Sequence, residues 1–252
     1  MLVVPICLWG EATHIDTAGR FKLEPWTFSP LIFTEKTRRN KDFWGMLGYV
    51  KFLKESTAQK QTYQKGDTTR MYHKQLSAIL ASLQLCDEKL KNVAIPFDNN
   101  EVQYYDITCP VMFVMSDTEG ADRICGRYGS HRLKIKRHCR MCDVNSDNLD
   151  DEKCKFNYLS FDEMHHIAIN GTEEQRVKYY QHKVANAFWD INLGKQKYGL
   201  LGCTPPDILH VVRKGIVEWS ARAVIENLST NTKKNIRRSC SKISSNTSSK
   251  TS

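Results

Sequence analysis

The sequence predicts an α/β fold with a mixed sheet, because three apolar strand-like segments are followed by one amphipathic helix and then by a fourth, buried strand. The chain has 252 residues, of which 40% are apolar and 26% are charged, as is typical of a water-soluble protein. The apolar segment at residues 1–10 is too short to span a bilayer and has no basic flank. We therefore expect an intracellular protein that is neither secreted nor inserted in a membrane.

Three strands are predicted ahead of the helix. Residues 1–11 are largely apolar and open the core. Residues 23–34 and 43–53 combine aromatic, aliphatic and β-branched side chains, which favour strands. The polar segment 35–42 separates the second strand from the third.

The helix is predicted to begin at a cap on Thr68 or Thr69 and to end near Cys86. After it, residues 93–95 and 102–107 predict a small hairpin. The apolar residues of the helix recur at helical spacing on one face: Tyr72, Leu76, Ile79, Leu80 and Leu83.

The fourth strand is the run Val111–Met115, which is closed by Ser116 and Asp117. Three strands, a helix and a strand, with Glu11 at the end of the first strand and Asp117 after the fourth, follow the order of the ribonuclease-H-like fold. Sites of this kind gather three carboxylates around two divalent ions roughly 4 Å apart. Several acids are needed because one carboxylate cannot neutralise both ions and also position the nucleophile.

A basic segment follows the fourth strand and its acid. Its positive charges supply the field that a polyanion requires, so nucleic acid is the expected partner. The candidate nucleic-acid-binding residues are Arg132, Lys134, Lys136, Arg137 and Arg140, with His131 and His138 among them.

The cysteines predict a metal site in the same segment. The chain has nine cysteines, and an odd number favours free thiols in a reducing compartment over a disulfide framework. Cys139 and Cys142 enclose two residues, as the ligands of a structural Zn²⁺ ion do. Cys154 and His165 would complete a site of three cysteines and one histidine, with His138 or His166 as alternative ligands. The other interpretation is a chance pair of cysteines in an acidic, solvated loop.

The last 24 residues, 229–252, contain six Lys or Arg and no acid, so they supply most of the net charge of +9. Their Ser, Thr, Asn and Lys content predicts disorder. Such a tail is either a nuclear address or DNA contact, or a solvated terminus with no specific role.

Several blocks of the sequence, in order, resemble one known family. They are PICLWGEATHID, SPLIFTEKTRRNKDFWGMLGYV, CPVMFVMSDTEGADRICGRYG, CRMCDV, QHKVANAFWDINLG and GLLGCTPPDILHVVRKGIVEW. On these blocks the chain resembles the Plavaka and Kyakuja/Dileera/Zisupton group of eukaryotic cut-and-paste transposases. The resemblance implies a ribonuclease-H-like fold with a basic, cysteine-bearing insertion and C-terminal helices. It also implies DNA strand cleavage and joining that depend on Mg²⁺ or Mn²⁺.

Carried over by position, Asp117 matches the family's acid after the fourth strand and is the first catalytic candidate. Glu11 stands where the family usually has Asp, and Asp16 replaces it only in a different strand register. Asp122 lies one turn beyond Asp117 and is expected to support it. Trp189 stands where relatives commonly carry His. The third carboxylate is not identified, although Glu218 and Glu226 lie in the helical region where it is expected.

These departures favour a truncated or degenerate copy. Two functions remain: a DNA-binding, transposase-derived protein that cuts DNA with a divalent metal, or a catalytically inactive relic that binds nucleic acid or protein. Besides DNA, a second copy of the chain is a candidate partner, and the nucleus is the expected location. The predicted parts are a core at 1–130, the Cys/His insertion at 131–170, helices completing the core at 171–228, and the tail at 229–252.

Overall fold

The computed structural model describes residues 1–14, 22–52, 67–86, 90–97, 101–128, 136–137, 139–148, 151, 153–194, 196–206 and 217–227. The chain divides into two units, Met1–Pro206 and Asp207–Ser252. The mixed α/β class is confirmed, since the first unit contains both strands and helices. The predicted tail and the alternative acid Asp16 lie outside the described residues, and the four predicted parts stay a prediction.

The described strands are β1 (Leu2–Val3), β2 (Ile6–Gly10), β3 (Thr13–His14), β4 (Lys22–Pro30), β5 (Gly45–Phe52), β6 (Val93–Pro96), β7 (Val102–Tyr105), β8 (Ile107–Thr108) and β9 (Val111–Met115). The described helices of the first unit are α1 (Glu35–Arg38), α2 (Asp67–Gln84), α3 (Thr118–Ile124), α4 (Phe161–Asn170), α5 (Glu173–Tyr179) and α6 (Leu200–Cys203). Helix α7 (Glu218–Asn227) belongs to the second unit. Short 3-10 turns cover Lys41–Phe43 and Ser146–Asn148.

The central sheet has five strands. Strand β4 pairs antiparallel with β5 along one edge and with β2 and β3 along the other. Strand β2 in turn pairs parallel with β9. The order across the sheet is therefore β5, β4, β2 and β9, with β3 continuing the line of β2. The predicted fourth strand and hairpin are confirmed, the latter as the antiparallel pair of β6 and β7.

The segment predicted as one first strand is divided into β1 and β2. Pro5 lies at the break, and proline has no N–H with which to continue a ladder. Strand β1 pairs parallel with β8, whereas β2 joins the central sheet. The amino end of the chain therefore contributes to two sheets.

Helix α2 packs its predicted apolar face on the sheet. Tyr72, Leu76 and Leu80 are buried, and Ile79 and Leu83 lie partly buried against them. The predicted helix is thus confirmed, but the predicted cap is wrong, since the helix begins at Asp67 and both Thr68 and Thr69 lie inside it. The core combines these side chains with sheet residues and with residues from the carboxyl-terminal part of the unit: Leu8, Trp26, Val114, Phe188 and Leu200. None of the described helices is long and apolar enough to cross a membrane.

His73 is a buried polar side chain of α2, with 1% of its surface exposed. Its Nε2 lies 3.1 Å from the carbonyl oxygen of Arg123, and its Nδ1 accepts the backbone N–H of Ala187 at 3.2 Å. Both contacts fit a neutral ring protonated on Nε2. Burial lowers the pKa of His73 from 6.5 to about 4, because the charged ring would be desolvated and Nδ1 would lose its donor.

We expect the free energy of unfolding to fall as pH falls from 6.5 to about 4. In that window the unfolded chain takes up a proton on His73 that the folded chain does not. This difference lowers the free energy of unfolding by on the order of 3 kcal/mol across the whole window. Urea unfolding of a His73→Gln variant should show a flatter pH dependence than the wild type, while the exposed control His166→Gln should match the wild type. Equal pH slopes for His73→Gln and the wild type would contradict the neutral assignment.

Candidate active site

Glu11 and Asp117 lie at the same edge of the sheet. Strands β2 and β9 are parallel neighbours, with Trp9 opposite Met115, and each acid follows two residues later. Neighbouring strands are about 4.8 Å apart, so the β2–β9 ladder ends on both strands just before the two acids. Glu11 is exposed and Asp117 is half-buried. We call this pair the acidic edge, and the role of its members as metal ligands stays a prediction.

Asp117 is held in place as the N-cap of α3. Its Oδ1 accepts the backbone N–H of Gly120 at 2.6 Å. A Cβ on Gly120 would lie 1.9 Å from the Ser116 hydroxyl oxygen and 2.9 Å from that same Oδ1. The tight turn into α3 thus requires glycine there. Within the described part of the chain, Oδ2 of Asp117 makes no hydrogen bond and is available to a ligand.

Glu24 on β4 is the charged residue that sequence reasoning missed, and it is fully buried. Its Oε1 accepts hydrogen bonds from Trp26 Nε1 at 2.8 Å and from the Tyr72 hydroxyl at 2.7 Å. Its Oε2 accepts from Arg123 Nη1 at 3.0 Å. We call these four residues the Glu24 network. Burial raises the pKa of Glu24, the partners Tyr72 and Arg123 oppose this, and the negative charge of Asp117 adds to it.

Arg123 connects this network to the acidic edge. It lies in the last turn of α3, and its guanidinium lies 4.8 Å from the ring centroid of Phe52 and 5.5 Å from that of Tyr72. It also pairs with Glu119 at 3.3 Å. Helix α3, capped by Asp117, is therefore fixed to β4, β5 and α2. This attachment sets where the Asp117 carboxylate lies.

Asp122 faces the protein interior, with 1% of its side chain exposed. Its Oδ1 lies 3.3 Å from Arg140 Nη1, so this acid joins α3 to the segment that carries the cysteines. The side chain of Arg140 is 11% exposed and its guanidinium is engaged by this pair. Its predicted contact with nucleic acid stays a prediction.

The other predicted DNA contacts have mixed surroundings. Lys136 is exposed, and its backbone N–H donates to the Tyr180 hydroxyl at 2.7 Å. Arg137 donates to the carbonyl of Lys178 at 3.3 Å and lies 5.3 Å from the ring centroid of Tyr179. Arg132 and Lys134, like His131 and His138, lie outside the described residues.

Arg127 is a second buried charge that the sequence pattern did not single out, with 4% exposure. It donates to the carbonyl of Cys139 at 2.7 Å and to that of Arg137 at 2.9 Å. Burial lowers its pKa. Arg127 thereby anchors the two ends of the short segment that leads into the Cys139–Cys142 turn.

The structure brings Cys139 and Cys142 together. Cys139 Sγ accepts the backbone N–H of Met141 at 3.3 Å. Cys142 has the thiol of Cys139 and the backbone of Val144 as hydrogen-bond partners, and burial raises its pKa. Burial therefore disfavours the Cys142 thiolate, the form that binds metal, while its backbone hydrogen bond at Val144 opposes this effect.

The other two predicted zinc ligands have separate contacts. Cys154 Sγ donates to the carbonyl of Lys155 at 3.6 Å. The ring of His165 stacks on Trp189, with centroids 3.7 Å apart and planes at 12°. Among the described residues, no three metal-ligating side chains gather at one point. The four-ligand zinc site stays a prediction.

The candidates for a third carboxylate lie in the second unit. Glu218 and Glu226 are on α7, and Glu218 forms an exposed ion pair with Arg222 at 2.6 Å. An ion pair one helical turn apart is common on helix surfaces and contributes little stability. The assignment of the third acid stays open.

Comparison with protein families gives one match. The family model described as Plavaka transposase matches residues 1–220. The matched range contains the central sheet, both acids of the acidic edge, and the four predicted zinc ligands. A comparison with curated proteins found no match.

An Arg123→Met substitution should destabilise the fold by about 3–5 kcal/mol, because it leaves the Glu24 carboxylate buried without a counter-charge. The matched control is Arg39→Met, which breaks the ion pair with Glu35, whose side chains are 77% and 75% exposed; it should cost about 0–1 kcal/mol. Urea unfolding at neutral pH measures both. Similar losses in the two variants would show that the buried network does not hold α3.

Proposed function

The chain belongs to the Plavaka transposase family, and on that basis we propose that it is a transposase-derived protein that binds DNA and whose acidic edge is built for metal-dependent strand cleavage and transfer. The observation that carries the proposal is the parallel register of β2 and β9. This register brings Glu11 and Asp117 to one edge from segments more than a hundred residues apart in the chain. If the two carboxylates turn toward each other at this edge, they would provide a cation site next to a polyanion.

The pairing pattern supports a ribonuclease-H-like core. Strands β2, β4 and β5 form an antiparallel meander, helix α2 follows, and β9 returns parallel to β2 on its free side. Glu11 and Asp117 follow the ends of the parallel strands β2 and β9, which is where the proposed fold would carry its acids. This pairing and the order of elements along the chain are the support for proposing a ribonuclease-H-like core.

The donor set of the acidic edge fits Mg²⁺ or Mn²⁺, since both prefer carboxylate oxygens. Asp117 would contribute the Oδ2 that the cap leaves available, and Glu11 would contribute from its exposed position. When bound, such an ion activates water and stabilises the departing 3′ oxygen of DNA. The Glu24 network contributes by fixing α3 and hence the Asp117 carboxylate.

A second candidate function is a catalytically inactive, nucleic-acid-binding or protein-interacting relic. Glu11 favours it, because the extra methylene of Glu moves its oxygens by more than the roughly 0.5 Å that a preorganised site tolerates. Glu24, the acid on the neighbouring strand β4, cannot replace Glu11 as a metal ligand. Both its oxygens are engaged by Trp26, Tyr72 and Arg123.

The proposal includes a DNA partner, a nuclear location and a second copy of the chain as a candidate partner. The exposed Lys136 and the basic residues Arg132 and Lys134 would contact phosphate, together with the basic tail. Such contacts position a protein on DNA without reading its sequence. We therefore expect binding that weakens strongly as salt rises.

A structural Zn²⁺ ion is also part of the proposal. The backbone groups aimed at Cys139 and Cys142 support this turn as half of a zinc site. Arg127 supports the start of this turn by donating to the carbonyls of Arg137 and Cys139. Cys154 and His165 remain the proposed further ligands.

Replacing Glu11 by Asp should restore or raise Mg²⁺- or Mn²⁺-dependent nicking of supercoiled plasmid by about tenfold or more, because it shortens the carboxylate to the family's usual length. Adding Asp117→Asn should abolish that nicking, whereas adding the exposed-acid control Glu174→Gln should not. DNA binding at low salt is measured for each protein. Unchanged binding without nicking in Glu11→Asp would favour the inactive relic, and absence of DNA binding by every protein would contradict the proposed DNA-binding function.

Purified wild-type chain should hold about one zinc per chain by elemental analysis. Cys142→Ser should lose most of it, because the Cys139–Cys142 turn would keep only one thiolate. Cys86→Ser removes a half-buried thiol elsewhere and should retain the wild-type content. Full zinc retention in Cys142→Ser would remove the proposed site.

A further inference from the structure

A cleft of about 510 Å³ opens between the start of α4 and the loop that follows Trp189. Its volume is within the roughly 300–1,000 Å³ range of sites for small organic groups. Three aromatic side chains line it, namely Phe161, Trp189 and Tyr198. We call it the aromatic cleft. It does not include Glu11 or Asp117 of the acidic edge.

Trp189 is held rigidly in the cleft wall. His165 covers one face of the indole, with centroids 3.7 Å apart, and Phe161 lies 5.8 Å away at a tilt. The side chain nevertheless remains 44% exposed. An indole that is backed on one face and still exposed presents its other surface to the cleft.

The aromatic surface continues beyond the cleft. Tyr198 lies 5.0 Å from Tyr158, and Tyr158 lies 5.4 Å from Phe156, measured between ring centroids. Tyr158 is 56% exposed and Phe156 is 46% exposed. Aromatic side chains of this exposure are not needed for the core. Their succession forms a platform on which flat groups can stack one after another.

Polar and charged groups accompany this platform. Asp162 and Gln196 line the cleft and can accept from or donate to the edge of a heterocycle. Lys197 also lines it, and the exposed Lys153 and Lys155 shortly precede Phe156 in the chain. Stacking surfaces with cations alongside are the arrangement that binds single-stranded nucleic acid.

We propose that the aromatic cleft binds an unpaired base of single-stranded DNA, stacked on Trp189 and Tyr198. This inference rests on the proposed DNA binding, and it specifies that the bound DNA is single-stranded. A paired base cannot enter, because its faces are covered by its neighbours in the duplex. The lysines contact the phosphates that flank the base.

The cleft lies at the far end of β9 from the acidic edge. The backbone N–H of Val111, at the start of β9, donates to the carbonyl of Asn192 in the cleft wall at 2.8 Å. Asp117 follows the other end of this strand, and five residues of strand span about 16 Å. The base bound here therefore belongs to a nucleotide several positions from the phosphate at the acidic edge.

The test compares a labelled oligothymidylate with a duplex of equal length by fluorescence anisotropy. Trp189→Leu and Tyr198→Leu should each weaken single-strand binding by about tenfold, while duplex binding changes less than about twofold because no phosphate contact is removed. Trp189→Phe should retain most of the affinity, since a phenyl ring still stacks. The matched control is Tyr104→Leu, which removes an aromatic side chain that is 63% exposed on β7 and should bind as the wild type does.

A second measurement uses an oligonucleotide of the same length and charge whose nucleotides are abasic, so that no base can stack. It should bind the wild type about as weakly as the oligothymidylate binds Trp189→Leu. Unchanged single-strand affinity in Trp189→Leu and Tyr198→Leu, with normal duplex binding, overturns the cleft proposal alone. Equal losses on duplex and single strand also overturn it, and so does a Tyr104→Leu loss as large as theirs. A wild type that binds neither DNA overturns the proposed function as well.

Discussion

The buried ion pair between Glu24 and Arg123 is the interaction on which the arrangement of the candidate site depends. It joins β4, in the middle of the sheet, to α3, whose first residue follows Asp117. Burying two charges brings little net stability, since desolvation offsets their attraction. What the pair provides is a single position for α3, because any shift of the helix would leave a carboxylate buried without its donors. Tyr72 and Trp26 complete this constraint by occupying the other oxygen of Glu24.

A second buried pair extends the same helix in another direction. Asp122 binds Arg140, and Arg127 binds the carbonyls of Arg137 and Cys139. Helix α3 therefore has two ionic attachments. Arg123 attaches it to Glu24 of the sheet, and Asp122 attaches it to Arg140 beside the cysteine turn. In this arrangement the polar residues of the SDTEGADRICGRYG segment are mostly structural. Asp117 uses one carboxylate oxygen as the cap of α3, and it is the acid that the strand pattern placed at the edge.

The strands of the sheet and α2 were predictable because their apolar residues recur at regular spacing and polar residues or prolines end each segment. Three strands, the helix face on Tyr72, the hairpin and β9 all follow from apolar spacing. The break at Pro5 was missed, although proline chemistry signals it. Glu24 and Arg123 were missed for a deeper reason: they are 99 residues apart, and no local pattern links them. A Glu that occupies an inward position of an alternating strand, as in KLEPWTF, is the one signal that was present.

The two ends of β9 have different chemistry, and this difference argues for a single path of DNA across the unit. One end carries acids that a cation must neutralise before phosphate can approach. The other end has aromatic rings with lysines nearby, where bases rather than phosphates gain most from contact. A strand of nucleic acid that satisfied both ends would present its backbone at the acidic edge and its unstacked bases near Trp189. Because both contacts lie at the ends of one strand, β9, which pairs along its length with β2, the separation between them is set by the fold and not by the ligand.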